Sequence, residues 1–138
     1  MSTGAAHTVV AGVLVRDDRV LLGRRRADLT WYPGVWDVVG GHVEAGETPE
    51  QALTRECREE LAIEVTSLAR LPLTVEEPGL SMTVFVVRCW VGEPVNAAPE
   101  EHELIRWFSA DELDGLGGSD FADPRLPRLL VELLGPPS

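Results

Sequence analysis

Arg55 and three glutamates fall within six consecutive residues of this chain, Arg55 to Glu60. On a helix, Glu56, Glu59 and Glu60 would share one face, because residues three and four positions apart are neighbours on a helical surface. Like charges at this spacing destabilise a helix, more so near its C-terminal end. Divalent cations compensate such a cluster, and Mg²⁺ binds one or two carboxylates while it contacts substrate phosphates. The spacing therefore predicts a magnesium site for a phosphorylated substrate.

The segment that carries these residues has the signals of an amphipathic helix. Thr48 is a good N-cap, Pro49 suits the first helical position, and Gln51 completes a capping box with Thr48. These signals predict a helix from Pro49 to about Leu61. An apolar stripe would pack on a sheet while the carboxylates face a cleft, and it consists of Leu53, Cys57 and Leu61.

Short runs rich in β-branched and apolar residues alternate with turn signals over the rest of the chain. They predict strands at residues 8–16, 19–22, 35–39, 64–73, 81–92 and 104–108. Ser109 is a candidate cap for a short helical turn, and an apolar pattern at residues 125–134 predicts a last helix. Strands mixed with helices favour one α/β domain spanning residues 1–138, with helices packed on the faces of the sheet.

The overall charge limits the partners that we expect. The 138 residues include 12 basic and 23 acidic side chains, which give a formal net charge of −11 at pH 7. Such a surface repels long nucleic acid, whereas a small anionic substrate can bind through metal ions. No apolar run is long enough to cross a bilayer, and Met1–Thr8 lacks the features of a signal peptide. We therefore expect no membrane partner and a cytoplasmic location.

The spacing of residues 41–63 resembles the signature segment of the Nudix hydrolase family, the Nudix box. The residues that match the box are Gly41, Glu47, Arg55, Glu56, Glu59, Glu60 and Ile63. Two near-fixed positions differ, since Cys57 occupies an aliphatic position and Ala62 replaces a glycine. We expect Ala62 to adopt a positive φ at the helix C-terminus, at a cost of up to about 1 kcal/mol. Upstream, Val39 replaces the proline that commonly precedes the glycine pair in this family.

The resemblance implies a Nudix α/β/α sandwich with a mixed sheet between helices. It also implies hydrolysis of a pyrophosphate linkage with Mg²⁺ as the cofactor and Mn²⁺ as a substitute. By position in the box, Glu56, Glu59 and Glu60 would be metal ligands, and one of them a candidate base toward water. Arg55 and Glu47 would form a supporting ion pair.

Two further metal contacts outside the helix follow from the same resemblance. The carbonyl of Gly40, just before the box, is expected to contact a metal. A further carboxylate is expected about six residues before a tryptophan, here Trp107, which favours Glu101. Glu100 and Glu103 are the competing candidates.

Charged residues outside the box could contact the substrate. Arg24 and Arg26 could bind phosphate oxygens through their guanidinium groups, while side-chain alternation in a strand turns Arg25 the other way. Asp123 lies in the region where MutT-like members of the family read the base, with Arg125 as an alternative.

Aromatic residues near the box have two interpretations. Trp36, with Trp31 and Tyr32, could stack on a base or pack in the core. His42 follows the glycine pair and could approach the substrate, whereas His102 gives no stronger signal than any single histidine.

The favoured function is MutT-like hydrolysis of a nucleoside triphosphate, normal or oxidised, to a nucleoside monophosphate and pyrophosphate. The expected partner is this small nucleotide, bound by a monomer or a homodimer. One alternative is a pyrophosphatase for ADP-ribose or a nucleotide sugar. Another is a non-catalytic Nudix domain that senses a nucleotide, although such domains usually lose box carboxylates that this chain keeps.

Overall fold

A computed structural model of the chain describes residues 7–30 and 33–135, and for residues 72–77 it describes the backbone alone. The strands are β1 (His7–Arg16), β2 (Arg19–Arg25), β3 (Trp36–Asp37), β4 (Val39–His42), β5 (Glu64–Glu77), β6 (Leu80–Val91) and β7 (His102–Ser109). The α-helices are α1 (Pro49–Leu61), α2 (Ala110–Asp114) and α3 (Leu126–Leu134). Across these described stretches, no helix has the length and apolar character that crossing a membrane requires.

The sheet is organised around β1, which pairs with three other strands. Residues His7–Leu14 run parallel to β6, and the same strand pairs antiparallel with β4 and β2. The hydrogen-bonded order is β3-β2-β1-β6-β5, with β4 also on β1 and β7 also on β2. One parallel pair among antiparallel pairs makes the sheet mixed, which confirms the predicted fold class.

Side chains alternate between the two faces of the sheet, and each face is covered by helix. One face packs on α1, and its core includes Leu14, Leu21, Phe85, Leu53, Cys57 and Leu61. The other face packs on α2 and α3, and its core includes Val13, Val20, Val84, Phe108, Leu113 and Leu130. The predicted α/β/α sandwich is therefore confirmed.

Helix α1 begins and ends where the sequence predicts. The Thr48 hydroxyl accepts a hydrogen bond from the Gln51 backbone N–H at 3.1 Å, and the Gln51 side chain accepts one from the Thr48 N–H at 2.9 Å. The predicted stripe of Leu53, Cys57 and Leu61 is buried. Ala62 follows the helix in the left-handed region, with φ 57° and ψ 37°. The capping box thus fixes the first turn of α1, the helix that carries the three box glutamates.

The predicted strand at residues 35–39 is instead two short strands with different partners. β3 pairs with β2, and β4 pairs with β1. The chain crosses between these partners at Val38, whose N–H donates to the Asp37 carboxylate at 2.8 Å. That side-chain bond satisfies an amide where the ladder is interrupted. Other strands are longer than predicted, since β2 continues to Arg25, β5 continues to Glu77 and β7 begins at His102.

Replacing Ala62 by glycine should stabilise the protein, because a left-handed backbone strains every residue with a Cβ. We expect the free energy of unfolding to rise by about 0.5–1 kcal/mol, measured as an increase of a few degrees in melting temperature. Ala45→Gly is the matched control, since Ala45 is exposed and has no positive φ. There the greater chain entropy of glycine should leave the melting temperature unchanged or lower. A melting temperature of Ala62→Gly at or below that of the parent would contradict strain at this cap.

Candidate active site

Arg55 connects the box carboxylates to one another. Its Nε lies 2.7 Å from a Glu47 oxygen, and its Nη1 lies 3.0 Å from a carboxylate oxygen of Glu56 and 3.0 Å from one of Glu59. It also donates to the backbone carbonyl of His42 at 2.9 Å. The surrounding carboxylates, with Glu47 first, raise the pKa of the Arg55 guanidinium. The ion pair of Arg55 and Glu47 that the resemblance implies is therefore present. Arg55 also orients two of the predicted metal ligands, Glu56 and Glu59.

Glu60 is a buried carboxyl group in contact with a second one. Only 6% of its surface is exposed, and its carboxyl interacts with the Glu56 carboxyl and with the backbone N–H of Gly40. Burial, together with the adjacent Glu56, raises the pKa of Glu60. Two carboxyl groups in such contact must share a proton, or a cation must take its place. The pair fits a divalent cation for this reason.

Gly40 and Gly41 allow β4 to approach both its neighbours. A Cβ on Gly41 would overlap the Glu56 carboxylate, and a Cβ on Gly40 would overlap the backbone carbonyl of Val10. Glycine is therefore required at both positions for the present geometry. Gly40 lies beside Glu60, where a metal contact from its carbonyl was predicted, and that contact stays a prediction.

The loop that follows β6 brings a further acidic residue to Glu60. The N–H of Ala97 donates to the Glu60 carbonyl at 2.9 Å, and the N–H of Val95 donates to the Leu61 carbonyl at 3.0 Å. These bonds fix the loop on the C-terminal end of α1. The ligand atoms of Glu60, Glu101 and His102 consequently lie within 4.8 Å of one another.

Glu101 is the acidic residue of this loop that lies in the cluster, and its role as a metal ligand stays a prediction. Its competitor Glu103 instead lies 3.1 Å from Arg24 in an exposed ion pair, and Glu100 is not part of the cluster. His102 was not predicted as a functional residue. It is buried because the pairing of β2 with β7 shifts between Arg24 and Arg25, which removes strict alternation there. Burial is the main effect that lowers the pKa of His102, so its imidazole is neutral at pH 7.

A cleft of about 640 Å³ opens beside the cluster. Its walls are mainly apolar, with contributions from Val38, Met82 and Leu129, and it includes Glu60, Glu101 and His102. Four more charged residues line the same cleft, namely Arg25, Asp37, Asp123 and Arg125. A volume of this size and a mixed lining are typical of small-molecule sites.

The two aspartates of the cleft differ in their electrostatic surroundings. Burial raises the pKa of Asp37 to about 6, and nearby Asp123 adds to the shift. The Val38 N–H and Arg25 act against it. Asp123 instead accepts hydrogen bonds from Arg125 at 2.8 and 3.0 Å, which lower its pKa. Asp123 is one of the predicted substrate contacts. Asp37 is not among the predicted site residues, because no motif in the sequence distinguishes it from any other loop aspartate.

The structure favours a different one of the three consecutive arginines as a possible contact of the substrate. Arg24 pairs with Glu103 at 3.1 Å, and Arg26 pairs with Asp28 at 2.7 Å. Neither lines the cleft, whereas Arg25 does. The predicted substrate contacts of Arg24 and Arg26 are thus not supported by their positions. Side-chain alternation does separate Arg25 from Arg24, and the cleft lies on the side of Arg25.

Trp36 lies in the core. It is 9% exposed, and its ring meets that of Phe108 edge to face, with centroids 4.8 Å apart. This position argues against the predicted stacking of Trp36 on a base and favours the packing interpretation. Trp31 and Tyr32, the other candidates for stacking, lie outside the described residues.

Comparison with known proteins assigns the chain to a family. The model of the NUDIX domain matches residues 6–129. The chain is 48% identical over 106 residues to the CTP pyrophosphohydrolase of Escherichia coli K12, which covers 75% of this chain and 76% of the relative. It is 36% identical over 108 residues to a MutT-like protein of Streptomyces ambofaciens, covering 78% and 67% of the two chains.

A solved structure extends the similarity to the whole fold. The crystal structure of a MutT NUDIX hydrolase from Burkholderia pseudomallei superimposes with a TM-score of 0.72 at 27% identity, covering 91% of this chain and 95% of the other. The family model and the solved structure both cover most of the chain, and the residues that the family model matches include the box at residues 41–63. The chain therefore belongs to the Nudix family and is a hydrolase.

Proposed function

We propose that this Nudix hydrolase cleaves the pyrophosphate linkage of a nucleoside triphosphate to release a nucleoside monophosphate and pyrophosphate. The main support is the buried Glu60, which contacts Glu56 and lies beside Glu101 in a cleft of about 640 Å³. That volume suits one nucleotide. The relative of 48% identity is named a CTP pyrophosphohydrolase, which favours a nucleoside triphosphate as the substrate.

Glu56, Glu60 and Glu101 would bind Mg²⁺ or Mn²⁺, with Glu59 and the Gly40 carbonyl as further candidate ligands. When bound, such a cation neutralises substrate phosphates and lowers the pKa of a coordinated water. The fit rests on the contact between the Glu56 and Glu60 carboxyl groups in a buried setting. A divalent ion would let both carboxylates ionise there.

The protein's own groups would position the reaction rather than form a covalent bond with the substrate. Arg55 fixes the Glu56 and Glu59 carboxylates, and one of the box glutamates would accept a proton from the attacking water. Cys57 is buried, and burial raises the pKa of its thiol to about 12. The thiol is therefore protonated at neutral pH and is a poor nucleophile. Hydrolysis by positioned water agrees with this chemistry.

Asp37 and Asp123 are the candidates for reading the base. Both line the cleft, and ionised carboxylates accept hydrogen bonds from amine groups. Cytosine presents such a donor at its N4 amine, and aspartate or glutamate pairs with it in known recognition. Arg25 and Arg125 line the same cleft and would favour an anionic substrate despite the net charge of −11. We therefore propose a triphosphate whose base carries an exocyclic amine, as CTP does.

Glu60→Gln and Glu56→Gln should each lower kcat at least about a hundredfold, because each removes a charge that the proposed cation requires. Initial rates of pyrophosphate release with saturating Mg²⁺ would measure the effect, and circular dichroism would check the fold. Glu50→Gln is the matched control on the same helix, since Glu50 pairs with Arg70 on the surface and should leave the rate unchanged. Near-normal rates in both active-site variants would rule out this metal site.

Turnover should require a divalent cation and show a preference among bases. We expect pyrophosphate release from CTP and dCTP with Mg²⁺ or Mn²⁺, loss of release in excess EDTA, and recovery when the metal is restored. The panel should include the other nucleoside triphosphates, oxidised dGTP and ADP-ribose. Full turnover in EDTA would refute the metal requirement. Metal-dependent turnover of ADP-ribose alone would refute the triphosphate as substrate while leaving the hydrolase in place.

Asp37→Asn should relieve a cost of burying a carboxylate, and the gain should depend on pH. The pKa of Asp37 is about 6 in the folded protein against 3.8 as its ordinary value, so folding favours its protonated form. The stability of the parent therefore falls as pH rises from about 4 to about 6 and then levels off. The melting temperature of Asp37→Asn relative to the parent should rise over the same window.

Asp123→Asn provides a control for this titration, because the pKa of Asp123 is lowered whereas that of Asp37 is raised. Arg125 lowers the pKa of Asp123 below 3.8, so the stabilising effect of its charge is already complete above that value and is lost only toward lower pH. The difference in melting temperature between parent and Asp123→Asn should thus change far less from pH 5 to 8 than that for Asp37→Asn, because Asp123 makes only the smallest contribution to the Asp37 shift. A flat difference for Asp37→Asn would show that Asp37 titrates normally.

A further inference from the structure

His102 is held by its main chain next to the carboxyl cluster. It is 7% exposed, its N–H donates to the Ala98 carbonyl at 3.0 Å, and its carbonyl accepts a hydrogen bond from the Asn96 side chain at 2.8 Å. The same loop is bonded to the C-terminal end of α1 through Ala97. The position of His102 relative to Glu60 is therefore fixed by backbone contacts.

The imidazole ring packs on the backbone of β2 at Gly23. A Cβ on Gly23 would lie only 2.7 Å from Cδ2 of His102, so any larger residue at that position would displace the ring. The ring also lines the cleft, and one of its nitrogens lies within 4.8 Å of carboxylate oxygens of Glu60 and Glu101.

We infer that His102 supplies a nitrogen ligand to the cation that Glu60 and Glu101 bind. Two carboxylate oxygens and one imidazole nitrogen within 4.8 Å of one another could contact a single ion. The inference rests on the proposed function, because it concerns the metal of the same site. Mg²⁺ prefers oxygen ligands, whereas an imidazole suits the transition metals. The site should therefore discriminate in favour of Mn²⁺ over Mg²⁺ through His102.

Bound Mn²⁺ reports this ligand directly, without any reading of activity. Electron spin echo envelope modulation of Mn²⁺ in the full-length protein should show coupling to a directly coordinated nitrogen. Incorporation of ¹⁵N-histidine should change that coupling, and His102→Gln should remove it while Mn²⁺ stays bound. His42→Gln is the matched control, because His42 lines the same cleft but lies outside the cluster, and the coupling should persist.

Affinity gives a second, independent measurement. His102→Gln should weaken Mn²⁺ binding by about tenfold and Mg²⁺ binding by less, as determined by titration calorimetry without nucleotide. Gly23→Ala keeps the histidine but displaces its ring, so it should reduce the nitrogen coupling even if His102→Gln folds poorly. Thermal melts would accompany each variant.

The outcomes separate this inference from the proposed function. Mn²⁺ that binds without histidine coupling, or with coupling that persists in His102→Gln, would overturn the nitrogen ligand. If CTP is still hydrolysed in that case, the proposed function stands. Failure of the parent protein to bind Mn²⁺ at all, together with full turnover in EDTA, would overturn both.

Discussion

The burial of Glu60 against Glu56 is the constraint on which the rest of the site depends. Glu60 is 6% exposed, and its carboxyl interacts with a second carboxyl group. It also lies in the last turn of a helix, where the dipole disfavours negative charge. The N–H of Gly40 and the guanidinium of Arg55 offset part of this cost. The remaining deficit is the physical reason why we propose a cation at this position.

The sheet supplies the close approach that this arrangement needs. A Cβ on Gly12 of β1 would lie 2.7 Å from Leu53, so α1 packs as near to the strand as its side chains allow. Gly41 leaves room for the Glu56 carboxylate in the same way. The apolar stripe of α1 and the glycines of β1 and β4 therefore act together. Burial of the apolar stripe stabilises the contact between α1 and the sheet, and the absence of side chains at the glycines lets the two come close together.

Local signals in the sequence were sufficient for α1 and for the parts that depend on it. Capping chemistry and helical periodicity depend on near neighbours, which explains why the helix bounds, the buried stripe and the left-handed Ala62 were predictable. The roles of Arg25 and His102 were not predictable, and the direction of His102 depends on a register shift between β2 and β7. A single irregularity in pairing reverses which side chains face inward. For the arginines, alternation separates Arg25 from Arg24 and Arg26, but it does not say which side of β2 borders the cleft.

The end of α1 connects the cluster on the helix to the loop that completes it. The last carbonyls of a helix have no partner within it, and here those of Glu60 and Leu61 accept bonds from the loop at Ala97 and Val95. Ala62 ends the helix in a left-handed conformation. The C-terminus of α1 disfavours the negative charge of Glu60. The same terminus also supplies the carbonyl groups that hold the loop carrying Glu101. A change in how α1 ends would consequently move Glu101 and His102 relative to Glu60, so stability at the cap and geometry at the site are coupled.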